Sequence, residues 1–133
     1  MGANLDVIRG TYEGSSEDNG RNLLAALAPE AEWTEAEGFP YAGTYFGPDA
    51  IIAGVFRRLG TEWIGYRAEV HTFLEDGDRV AAFGVYSGTY KATGKSMQAS
   101  FAHLYQVRDG KIASMTQYVD TAMVRKALQS TEA

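Results

Sequence analysis

The second half of this chain has few ways to fold. Beyond Gly60 the hydrophobic period changes from helical to alternating, and residues 63 to 75, 79 to 91, 96 to 108 and 111 to 120 read as four strands. They are divided by Glu75-Asp76-Gly77-Asp78, Thr93-Gly94-Lys95 and Arg108-Asp109-Gly110. Connections this short cannot carry a crossover, so consecutive strands must pair as antiparallel neighbours. A meander of this kind has an apolar face that the rest of the chain must cover.

The first half supplies the cover. Leu5, Ile8 and Tyr12 recur at spacings of three and four, the stripe of an amphipathic helix that ends near Gly14-Ser15-Ser16. Asp18 or Asn19 is placed to cap a second helix carrying Leu23, Leu24 and Leu27, and Pro29 ends it by removing a donor and clashing with the preceding turn. Alternation around Trp33 predicts a short strand from Ala31 to Glu37, followed by a Gly-rich, aromatic loop from Gly38 to Gly47. Pro48 then opens a third helix, with Asp49 at the positive end of its dipole and Ile51, Ile52, Val55, Phe56 and Leu59 on its apolar face. Thr121 is set to cap a terminal helix through Leu128, and the tail from Gln129 to Ala133 is expected to fray. No internal repeat or interdomain linker interrupts the series. Residues 1–133 therefore read as one α+β domain, with helices covering one face of a curved sheet.

Composition narrows what such a domain does. With no Cys there is no disulfide, thiolate nucleophile, iron–sulfur cluster or thiolate zinc site, and two His leave little for any other metal. A formal net charge of -5 opposes phosphate neutralisation, and Arg57-Arg58 is the densest basic spot, so no nucleic-acid partner is expected. The start, Met1 to Asp6, lacks the basic and apolar regions of a secretion signal and reads as a cytoplasmic N-terminus; no apolar run is long enough to span a bilayer. Ala92-Thr93-Gly94-Lys95-Ser96 ends like a phosphate-binding loop, but Thr89 stands where that loop needs glycine, and the segment joins two strands instead of opening a helix. No Gly-x-Ser-x-Gly elbow and no His-x-x-x-His pair is present.

The remaining candidates are isolated polar residues on apolar elements. His103 shares a strand face with Met97, Phe101, Tyr105 and Val107, as a core histidine or as a donor lining a pocket. Asp120 is either the first-turn acid of the last helix or the end of a row with Thr116 and Tyr118 pointing into the concave side, where burial would suit it to proton transfer. Tyr12 counts chemically only if it faces a cavity. Glu35, flanked by Glu32 and Glu37, is by default a solvent-facing strand residue, and His71 among polar neighbours is expected to be exposed. Sixteen aromatics exceed what one small core needs, and Trp33, Tyr45, Phe56, Trp63, Phe101 and Tyr118 are the expected pocket wall. The same surplus suits a homodimer interface.

The order of elements, the stretch Tyr41-Ala42-Gly43-Thr44-Tyr45-Phe46-Gly47-Pro48, and above all Phe101 to Ile112 followed by Tyr118-Val119-Asp120-Thr121 resemble the NTF2-like superfamily, in its branch of SnoaL-like polyketide cyclases and ketosteroid isomerase-like proteins. The resemblance runs from about Asn4 to Leu128. It implies a cone: N-terminal helices packed on a strongly curved, mainly antiparallel sheet that encloses a pocket. By position Tyr12 falls near the tyrosine that donates to the oxyanion in ketosteroid isomerase, Glu35 near its base aspartate, and His103 at the protonated aspartate of its oxyanion hole. Asp120 matches the acid/base aspartate of SnoaL-like cyclases. The implied function is acid–base chemistry without cofactor or metal on an apolar carbonyl or polyketide-like molecule, as an isomerase, cyclase or hydratase. The alternative on the same fold is a noncatalytic small-molecule-binding or interaction module, and the implied assembly is a homodimer.

Overall fold

In the computed structural model, which describes residues 2–13 and 16–129, the four long strands stand where the alternation put them. They are β3 (Trp63–Asp76), β4 (Arg79–Tyr90), β5 (Ser96–Arg108) and β6 (Lys111–Val119), each antiparallel to the next. Gly77, Gly94 and Gly110 in the connections all have positive φ, which costs glycine nothing and other residues a steric penalty. The sheet continues from β6 to β1 (Leu27–Glu35), which runs parallel to it, and ends in β2 (Gly43–Phe46), giving the order β2-β1-β6-β5-β4-β3. It is an α+β fold with a curled, unclosed sheet. Two slips in the β3–β4 register, between Ile64 and Arg67 and between Val70 and Thr72, sharpen the bend of β3, the first beside Gly65 at φ 63.

Several local expectations shift. Helix α1 (Ala3–Gly10) stops before Tyr12, which sits in the turn that follows. Helix α2 (Ser16–Ala26) starts ahead of Asp18 and Asn19, so they fall inside it; their side chains, and the expected helix end at Gly14 and Ser15, lie outside the described residues. Pro29 does not stop that helix. It lies exposed within β1, where the β1–β6 register slips between Leu27 and Glu32 and no ladder bond is asked of its nitrogen. The strand thus runs earlier than the Trp33 pattern suggested, and the aromatic loop contains β2, paired through Trp33↔Tyr45 and Glu35↔Gly43. The third helix is broken in character but continuous: α3 (Pro48–Ile51), a π-helical turn (Ile52–Phe56) and α4 (Arg57–Glu62). Gly54 in the π turn lies under the Tyr45 ring, where a Cβ would come within 2.3 Å of a ring carbon. Helix α5 (Thr121–Leu128) is capped by Asp120 and not by Thr121, and buries Val124 and Ala127. The tail beyond Gln129 is outside the described residues.

The concave face is built by exchanging bulk between β4 and β5. Inward residues pair as Val80↔Tyr105, Ala82↔His103, Gly84↔Phe101, Tyr86↔Ala99 and Gly88↔Met97. A small residue on β4 therefore faces a large one on β5 at His103 and Phe101, and Tyr86 reaches diagonally to stack on Phe101, with ring centroids 4.2 Å apart. Gly84 is essential to this arrangement, because a Cβ there would stand 2.0 Å from the Glu69 carbonyl oxygen and 2.8 Å from the Phe101 ring. Gly84→Ala should destabilise the fold by about 3 kcal/mol, as overpacking of a filled site does, read as a lower urea midpoint at unchanged slope.

Candidate active site

The inner face of the sheet and the helices enclose a cavity of about 840 Å³. Charged residues Arg9, Glu13, Arg67 and Glu69 ring its outer part, and the deep end is aromatic and polar: Trp33, Trp63, Tyr86, His103, Tyr105 and Gln117 all line it and are buried. Helix α1 delivers Tyr12 to this space. Its N-terminal amides are held from β3, Gly2 N donating to Glu75 Oε1 (3.0 Å) and Leu5 N to Oε2 (3.1 Å), a carboxylate cap borrowed from the far strand. Tyr12 N then donates to Arg9 O to close the turn.

Glu35 lies on the cavity wall and is only 4% exposed, not solvent-facing as its acidic neighbours suggested. The cause is the strand period. Ala31, Trp33 and Glu35 alternate inward on β1 while Glu32 is exposed. Burial pushes the carboxyl from 4.5 up to about 8, partly opposed by the hydrogen bond that Trp33 Nε1 donates to Glu35 Oε2 at 3.0 Å. Near neutral pH this group both holds and releases a proton easily, which is what proton transfer requires.

His103 stands at the centre of a hydrogen-bonded row. Its Nδ1 meets the Tyr12 hydroxyl, its Nε2 meets the Tyr86 hydroxyl, and Tyr12 also pairs with the Tyr105 hydroxyl at 2.5 Å. Gln117, directly opposite His103 on β6, donates from Nε2 to the Tyr86 oxygen (2.9 Å) and accepts from Ala36 N (2.9 Å). Burial holds the imidazole far below its ordinary value, to about 3, so the ring is neutral. Burial likewise raises the Tyr12, Tyr86 and Tyr105 phenols, which remain protonated donors. Tyr66, another lining residue, has a buried hydroxyl with no hydrogen-bond partner among the described residues.

Three of the four expected chemical residues, Tyr12, Glu35 and His103, thus meet in one cavity, and Asp120 does not. Asp120 is exposed and its carboxylate accepts from Met123 N at 3.3 Å, capping α5. On β6 the inward residues are Met115 and Gln117, so the row of Thr116, Tyr118 and Asp120 belongs to the opposite side, with Tyr118 57% exposed. Asp120→Asn should change stability by less than about 0.5 kcal/mol, because Asn caps as well as Asp, and should leave any turnover unchanged. Of the expected wall, Trp33, Phe56 and Trp63 line the cavity, while Tyr45, Phe101 and Tyr118 do not. The Tyr45 hydroxyl donates to Tyr41 O, and Phe101 lies behind, stacked on Tyr86 and His103. Trp63 is fixed by its own bond to the Tyr41 hydroxyl (3.1 Å), which in turn donates to Glu62. Tyr86 and Gln117 were not singled out from the sequence, and Tyr105 only as a neighbour of His103. Among the described residues no group of three His, Asp or Glu is placed to hold a metal ion. No described helix is long and apolar enough to cross a membrane.

Solved structures share this architecture. An NTF2-like protein from Burkholderia thailandensis E264 is 42% identical, with TM-score 0.91 over 97% of this chain and 99% of that one. TerC, co-crystallised with polyporic acid, is 28% identical, with TM-score 0.84 over 96% and 99%. A protein named for the SnoaL-like polyketide cyclases, from Jannaschia sp. CCS1, is 15% identical with TM-score 0.79 over 94% and 90%, a likeness of fold alone. Among proteins of curated function none matches. The sequence profile of the SnoaL-like domain matches residues 8–115, and the chain belongs to that family, on the NTF2-like fold.

Proposed function

We propose that the cavity is the active site of an enzyme that moves a proton on an apolar, enolisable carbonyl compound of polyketide-like type. Glu35 takes the proton from the carbon beside the carbonyl and returns it elsewhere on the same molecule. Tyr12, hydrogen-bonded to His103, donates to the oxygen on which negative charge develops. Trp33, Phe56 and Trp63 hold the apolar body and keep water away, so that each of these interactions acts in a medium of low dielectric. The observation that carries the reading is a buried carboxyl raised to about 8 on the same cavity wall as a neutral histidine and its phenols. TerC's co-crystallised polyporic acid adds support by showing a small organic molecule as the partner of a 28% identical relative.

Deuterium exchange tests it directly. Aromatic ketones such as 1-tetralone and 2-tetralone, incubated in D2O, should lose their α-proton signals faster with the protein than without, and the catalysed rate should rise with pH until about 8 and then level. A panel of such ketones showing binding by Trp fluorescence but no catalysed exchange would leave a carrier and not an enzyme.

A further inference from the structure

The hydrogen-bonded row has a direction, and the direction is set from outside the cavity. A backbone N–H only donates, so Ala36 N fixes the oxygen end of the Gln117 amide toward itself and the nitrogen end toward Tyr86. The Tyr86 oxygen is therefore an acceptor from Gln117. Its own proton has one partner among the described residues, His103 Nε2. Tyr86 is 4% exposed, and a hydroxyl proton turned away from its one partner there would forfeit that hydrogen bond. Nε2 must then present its lone pair, and the ring, carrying one proton, bears it on Nδ1. That N–H donates to the Tyr12 oxygen. Tyr12 is left with a proton that goes to Tyr105 in the absence of a ligand.

We propose that Tyr86, oriented by Gln117, is a positioning residue that holds His103 in its Nδ1–H tautomer and so leaves the Tyr12 hydroxyl proton free to point at an oxygen of the ligand. In the opposite tautomer Tyr12 would spend its proton on His103 and could offer the ligand only lone pairs. A phenol that accepts from an N–H is also polarised toward donating, so the row strengthens the bond it directs into the cavity. Tyr86 and Gln117 touch no reacting atom in this scheme and act through the imidazole. The catalytic value of the tautomer rests on the function proposed above; the tautomer itself does not.

Long-range proton–nitrogen NMR correlation on the ¹⁵N-labelled protein without ligand reads which ring nitrogen is protonated, with exposed His71 as the internal reference. His103 should show a protonated Nδ1 and a bare Nε2. Tyr86→Phe removes the donor to Nε2 and should turn this single form into a mixture, whereas Tyr12→Phe, with Tyr86 intact, should keep Nδ1–H. A protonated Nε2 in the wild type overturns the proposal, as does an unchanged single form in Tyr86→Phe or a switched form in Tyr12→Phe. If Tyr86→Phe does not fold, the wild type and Tyr12→Phe still decide. The two readings separate cleanly: a tautomer that relaxes in Tyr86→Phe while ketone exchange continues at the wild-type rate supports the positioning role and removes Tyr12 from the catalytic scheme.

Discussion

Glu35→Gln should lower turnover by about 10³-fold and at the same time make the protein harder to unfold at alkaline pH. The amide keeps the shape and still accepts the Trp33 indole bond but cannot carry a proton. The stability gain follows from linkage. In the unfolded chain Glu35 loses its proton near 4.5, and in the folded protein near 8, so between these values the folded state holds a proton that the unfolded state has released. Stability therefore falls as pH rises through that window, by about 5 kcal/mol once pH exceeds 8. Gln removes this dependence. Urea unfolding of both proteins at pH 5 and pH 8.5 measures it: the variant's advantage should be small at the lower pH and several kcal/mol at the higher. An equal difference at both would mean that Glu35 ionises as an ordinary surface carboxyl does, and the proposed proton carrier would be lost with it.

His103→Phe should lower turnover by about 10²-fold with little change in KM, since donation to the developing charge matters most in the transition state. Its effect on stability has the opposite pH sign from that of Glu35. The folded ring resists protonation down to about 3, whereas the unfolded ring takes a proton near 6.5, so native stability is lost as pH falls through this range. At pH 7 the variant should be less stable, because the Tyr12 and Tyr86 hydroxyls lose their shared partner. By pH 4 that deficit should shrink by about 3 kcal/mol, because the wild type alone suffers the penalty of a histidine kept neutral. A deficit constant from pH 7 to pH 4 would show that folding does not shift the imidazole's titration and that burial does not hold the ring neutral through this range, and a deficit that grows toward pH 4 would show that the ring is charged in the fold.

The parts of this molecule that could be read in the sequence are those decided locally. Gly77, Gly94 and Gly110 sit at turns that demand positive φ, and the alternation between them fixes four strands almost to the residue. Glu35 was equally readable in principle, two residues from a buried Trp33 on one strand, but Glu32 and Glu37 made the segment look solvated. Asp120 shows the reverse error. A register slip between Gln106 and Val107 against β6 shifts which residues of that strand face inward, and no local pattern reveals a slip that depends on the partner strand. Tyr86 and Gln117 escaped notice for a related reason. Each is unremarkable on its own strand, and their chemistry arises only where β4, β5 and β6 bring the Gln117 amide to the Tyr86 hydroxyl and that hydroxyl to His103 Nε2.

The exchange of bulk between β4 and β5 bears on how such a pocket diverges among relatives. Because Ala82 makes room for His103, Gly84 for Phe101 and Ala99 for Tyr86, enlarging a residue on one strand without shrinking its opposite overfills the wall. Substitutions at 82 and 103 and at 86 and 99 should then be accepted in couples and rejected singly, whereas Gly84, which also faces the Glu69 carbonyl oxygen of β3, should stay glycine whatever stands at 101. A redesign that aims to admit a different ligand would do better to swap both members of a pair than to carve at either residue alone.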